Sequence, residues 1–98
     1  MAASSAARIS AALVEHLGIT PLDGVAAVLR LHSTASPFPS PVTKSMSLFT
    51  DFRLAPLGRE AMAPDLTSLR KALGNSGVVS GSAARAAKTV GKLVELVS

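Results

Sequence analysis

Residues 82–98 read Ser82-Ala83-Ala84-Arg85-Ala86-Ala87-Lys88-Thr89-Val90-Gly91-Lys92-Leu93-Val94-Glu95-Leu96-Val97-Ser98. At about 100° per residue, Ala83, Ala86, Ala87, Val90, Leu93, Val94 and Val97 fall within one arc of roughly 160°. Arg85, Lys88, Lys92 and Glu95 fall opposite. The spacing predicts one amphipathic helix over 82–97. Ser80 or Ser82 is its expected N-cap, because a short hydroxyl accepts a bond from an unpaired first-turn N–H. Thr89 and Leu96 sit on the polar side, so the segregation is imperfect. Ala83, Ala87 and Gly91 stand four apart on one line, a spacing that lets a second backbone approach closely. Gly91 weakens a helix by about 1 kcal/mol relative to Ala, so a packing reason for it is expected. Ala83, Ala87, Val90, Gly91 and Val94 are therefore the expected packing surface for a partner helix.

Upstream, Leu66, Leu69, Ala72 and Leu73 form the stripe of another helix, expected over 65–73. Asp65 or Pro64 begins it and Gly74 ends it. Arg70 and Lys71 lie near its C-terminus, where the helix dipole favours cations. Residues 75–81 are rich in turn formers and read as a loop. Residues 65–98 thus form a helix-loop-helix unit.

Residues 33–64 are expected to be a strap with a short apolar segment. Ser36-Pro37-Phe38-Pro39-Ser40-Pro41 cannot be helical, since proline removes a donor and restricts the residue before it. An extended path close to polyproline II is expected. Met46, Phe49 and Phe52 then concentrate large apolar side chains in a short helix near 45–53 or a strand. They plug the core or form a docking motif for a partner groove. Residues 55–58 read as a turn, and 59–63 as one helical turn.

Residues 1–32 read as a helical hairpin. Ile9, Leu13 and Leu17 place one helix at about 4–17, and Gly18 suits a left-handed ending. Thr20-Pro21-Leu22-Asp23 is a fresh start, with Thr20 as cap, Pro21 at the first position and Asp23 at the third. The second helix is expected over 21–32. A rival reading takes this Ala- and Ser-rich stretch as a mitochondrial targeting segment ending near Leu29–Ser36. Glu15 and Asp23 argue against it, because such peptides are poor in acids.

Composition narrows the function classes. The 98 residues include only three aromatics, Phe38, Phe49 and Phe52, and no Cys. Disulfides, thiolate metal sites and Cys catalysis are excluded. No stretch approaches the roughly 20 apolar residues of a membrane span. The alanine-lined face also argues against strong insertion at a membrane surface, although peripheral contact remains an alternative. Net charge is +4, and residues 42–98 carry the whole excess, with eight Lys/Arg against four Asp/Glu. His16 and His32 have no acid or histidine at ligand spacing, and a metal site needs three or four convergent ligands. No acid pair, nucleophile motif or phosphate loop is present. No cofactor and no enzymatic activity are expected.

The resulting expectation is a small all-α protein, an irregular bundle or extended helical subunit, that works through protein contact or self-association as part of a larger complex. An intracellular setting is favoured, with mitochondrial import as the rival. The alternative is a basic helix-loop-helix-like protein contacting nucleic-acid phosphates through Arg85, Lys88 and Lys92. The loop between its helices is longer than a helix-turn-helix allows, and Ala83 and Ala84 offer little to read base edges.

Overall fold

Thr20, Pro21 and Asp23 start the first helix, α1 (Pro21–His32), as their order predicts. Thr20 Oγ1 accepts the Asp23 N–H at 3.2 Å, and the Asp23 carboxylate accepts the Thr20 N–H at 3.4 Å. This reciprocal pair satisfies two donors that a helix start leaves unpaired. The computed structural model describes residues 20–98, so the expected helix over 4–17 and its Gly18 ending lie outside the described residues. The described residues form five helices and no named strand, an all-α fold.

The segment after α1 bends at residues 36–37 and 40–41 instead of running as polyproline II, and the Ser36–Pro37 and Ser40–Pro41 peptide bonds are cis. Phe38 anchors it. Its ring centroid lies 5.4 Å from that of Phe52, and the Arg30 guanidinium stands 4.4 Å over its outer face. Aromatic pairing and cation–π attraction together hold the strap on the core. Ser33 Oγ adds a bond to Phe52 O at 2.7 Å.

Residues 47–54 form a capped turn rather than a full helix or a strand. Ser47 Oγ accepts the Thr50 N–H at 3.0 Å, and Asp51 Oδ2 accepts the Ser47 N–H at 2.7 Å. At the other end Arg53 takes a left-handed φ of 57° and bonds its N–H to Phe49 O at 3.1 Å. That is the ending usually supplied by glycine. The turn separates the two phenylalanines expected to act together: Phe52 is fully buried and Phe49 is exposed.

Pro56 starts α2 (Pro56–Ala61), where 55–58 and 59–63 read separately as a turn and one helical turn. Met62, with φ −77° and ψ −12°, joins it directly to α3 (Ala63–Ala72). Pro64 fits the first turn of α3, where its missing N–H has no helical partner to lose. Asp65 is therefore inside the helix and not its cap. Gly74, at φ +86°, ends α3. Arg70 Nη1 and Asn75 Nδ2 reach across to Leu96 O and Val97 O, at 2.6 and 3.0 Å. They satisfy carbonyls that the C-terminal helix cannot pair itself.

The expected single helix over 82–97 is two helices, α4 (Gly81–Ala86) and α5 (Val90–Val97). Residues 87–91 pair antiparallel with 44–48. Leu48 N–H donates to Lys88 O at 2.9 Å, Val90 N–H to Met46 O at 3.0 Å, and Gly91 N–H to Lys44 O at 2.9 Å. Val90 and Gly91 thus spend on the strap the donors a continuous helix would need. Thr89 then caps α5, its Oγ1 accepting the Lys92 N–H at 3.3 Å.

The core is one cluster drawn from all of these pieces. Val25, Val28, Leu29, Leu48, Phe52, Met62, Leu66, Leu69, Val90, Leu93 and Val97 are all fully buried. Gly24 lets α1 close on α3: a Cβ there would stand 2.5 Å from Leu69 Cδ1. Phe52 contributes the largest fully buried side chain. Phe52→Ala is expected to lower unfolding free energy by about 3–5 kcal/mol. Phe49→Ala, on the same turn, should change it by less than about 0.5 kcal/mol. Urea titration of both variants checks the contrast.

Candidate functional site

The break between α4 and α5 brings the strap and the C-terminal helices together. It sets Lys88 beside the Ser47–Asp51 turn, through the Leu48 N–H to Lys88 O bond. A groove of about 380 Å³ opens there, lined by Ser47, Phe49, Thr50, Pro56, Arg59 and Lys88. Phe49 is 64% exposed at its rim. Pro56 is exposed as well, and Leu57, next in the chain, is also largely exposed.

Arg59 is the unexpected member. Only 9% of it is exposed. Its Nη1 donates to Leu54 O at 2.8 Å and its Nε to Arg85 O at 3.1 Å. The guanidinium thus ties the turn, α2 and the end of α4 into one frame. Its register in the sequence carries a signal. Arg59 stands three, four and seven residues before Met62, Ala63 and Leu66, so it occupies an apolar register position. A charged side chain in that register lies against the core and needs partners or water for its head group.

The expected partner-helix surface is used within the chain. Ala87, Val90 and Val94 are buried, and Ala83 is half-buried. Because the helix is interrupted, Ala83, Ala87 and Gly91 do not share a line. The close approach at Gly91 is real, but its neighbour is the strap. A Cβ at Gly91 would meet Lys44 O at 3.2 Å. Helix-on-helix closeness occurs elsewhere, where α4 packs on α2 and a Cβ at Gly81 would stand 3.0 Å from Glu60 Cγ. Of the apolar trio, Met46 is half-buried, Phe52 is core, and only Phe49 faces outward. Arg85, Lys88 and Lys92 are all exposed, yet they lie on α4, the link and α5 rather than on one helical face.

A second polar feature corrects the reading of His32 as lacking an acid partner. His32 Nε2 lies 2.5 Å from Asp65 Oδ2, which joins the end of α1 to the first turn of α3. The Asp65 side chain is 2% exposed and that of His32 24%. The two residues are far apart in sequence, so no local spacing reveals them. A neighbouring nucleophile would make the pair catalytic in kind. The adjacent Ser33 instead donates its hydroxyl hydrogen bond to Phe52 O. Among the described residues no three His, Cys, Asp or Glu side chains converge as a metal site requires, and no helix is long and apolar enough to cross a membrane. The pair reads as a buried tie between helices.

The chain matches no protein-family model, and no curated protein or solved structure matches it. Its functional reading therefore rests on the groove and the buried tie alone. His32→Ala is expected to destabilise the fold by about 1–3 kcal/mol, by removing a partner from a buried carboxylate. In a double-mutant cycle with Asp65→Asn, the coupling should exceed about 0.5 kcal/mol. Additive losses would show that the contact does not support the fold.

Proposed function

We propose that this chain is a small non-catalytic protein that acts by docking onto another protein, as an accessory or assembly subunit. The observation that carries the reading is Phe49, a large aromatic side chain 64% exposed on a turn capped at both ends. Aromatic side chains are scarce in this sequence, and the other two serve the core and its strap. A rigid turn displays Phe49 at little entropic cost to a binder, which suits an interface anchor. Arg59 and Lys88 beside it supply polar contacts, as the rim of an interface requires. The docking surface of this proposal is the groove, since Ala87, Val90 and Val94 are already covered by the chain itself.

The test has two steps. Partners are first cross-linked and identified in extract from the native source. The purified partner is then titrated against the wild-type chain and Phe49→Ala. About a tenfold loss of affinity in Phe49→Ala, with unchanged thermal unfolding, is expected. Equal affinity of the two chains contradicts the reading. So does retention on duplex nucleic acid that disappears when Arg85, Lys88 and Lys92 become Gln.

A further inference from the structure

We propose that the groove between the Ser47–Asp51 turn and the start of α2 receives an acidic peptide segment of a protein partner. One carboxylate of that segment sits against Arg59 and Lys88, and an apolar side chain beside it covers Phe49 and Pro56. This inference rests on the docking reading and adds the chemistry of the partner.

Charge is the first reason. Burying a guanidinium away from water is costly unless an anion and hydrogen bonds compensate it. Arg59 is nine-tenths buried, and its two bonds go to backbone carbonyls, neither of them to an acid. Among the described residues the one ion pair is His32–Asp65, so neither Arg59 nor Lys88 pairs with a described carboxylate. The groove is lined by two cations and no acid. Asp51, at the end of the turn that walls the groove, is not part of the lining, and its Oδ2 already accepts the Ser47 N–H at 2.7 Å. A carboxylate entering here meets a partly desolvated positive site, where attraction is stronger than at an open surface.

The apolar wall is the second reason. A small inorganic anion would satisfy the cations and leave Phe49 bare. An extended segment carrying both an acid and an apolar residue uses both walls at once. Nucleic acid is disfavoured because a duplex phosphate backbone, like a small anion, would leave the apolar wall of Phe49 and Pro56 uncovered.

The full chain, labelled with ¹⁵N, is titrated with a synthetic peptide of alternating glutamate and leucine. The same peptide with glutamine in place of glutamate is the comparison, and a short duplex oligonucleotide is a third probe. The glutamate peptide should shift the Arg59 Nε–H, Phe49, Thr50 and Lys88 resonances. The glutamine peptide should bind at least about tenfold more weakly. Arg59→Met removes two tertiary hydrogen bonds and threatens folding, so Lys88→Gln carries the test. It should weaken the glutamate peptide by about threefold to fivefold, while Lys71→Gln leaves binding unchanged. The proposal is overturned by equal binding of the two peptides, by shifts mapping elsewhere, by no binding, or by tighter binding of the oligonucleotide at the same resonances. A partner complex lost in Phe49→Ala but indifferent to Lys88→Gln would keep the docking reading and reject the acidic segment.

Discussion

The antiparallel pairing of residues 44–48 with 87–91 is the constraint on which the rest of the molecule depends. It takes the N–H groups of Val90 and Gly91 out of helical use and gives them to Met46 O and Lys44 O. Without that diversion α4 and α5 would run on as one rod, and residues 44–48 would lose the backbone partners that seat them on the core. With it, Ala84 and Ala87 as well as Leu93 and Val97 are fully buried in one core. The same pairing fixes the backbone on both sides of Leu48, and so aims Phe52 inward and Phe49 outward.

Small side chains make this arrangement affordable. Close approaches at Gly24 to Leu69 and at Gly81 to Glu60 let short helices pack with little volume to fill between them, and that at Gly91 to Lys44 seats α5 on the strap. A core of Val, Leu and Ala can then be dense in spite of having one fully buried aromatic ring. Polar ties complete the frame at places where apolar contact is thin. Arg59 holds Leu54 O and Arg85 O, Arg70 holds Ser76 O and Leu96 O, and His32 meets Asp65. Two of these are arginines bonded to backbone carbonyls rather than to acids.

Local signals are legible in the sequence. Thr20-Pro21-Leu22-Asp23 specifies its own helix start through caps that lie within four residues, and α1 has the expected bounds. Leu66 and Leu69 gave α3 by periodicity, with its start displaced to Ala63. What escaped was set by partners distant in sequence. The periodicity over 82–97 is real, yet a competing set of acceptors at Lys44 and Met46 ends it at Ala87–Thr89. A threonine N-cap followed at once by Val90 and Gly91 was the local hint. The candidate groove was half visible, since Phe49 and Lys88 stood out for separate reasons. Their adjacency was not, because it depends on the same long-range pairing, and Arg59 was hidden by its charge.

The most direct measurement of this account is backbone NMR of residues 44–48 and 84–92 in the full chain. The pairing predicts slow amide exchange at Leu48, Val90 and Gly91, and cross-strand proximity between Ser47 and Thr89. It also predicts an interruption of helical connectivities at Ala87–Thr89. Helical connectivities running unbroken from Ala84 to Leu93, with rapid exchange at Leu48, would contradict it.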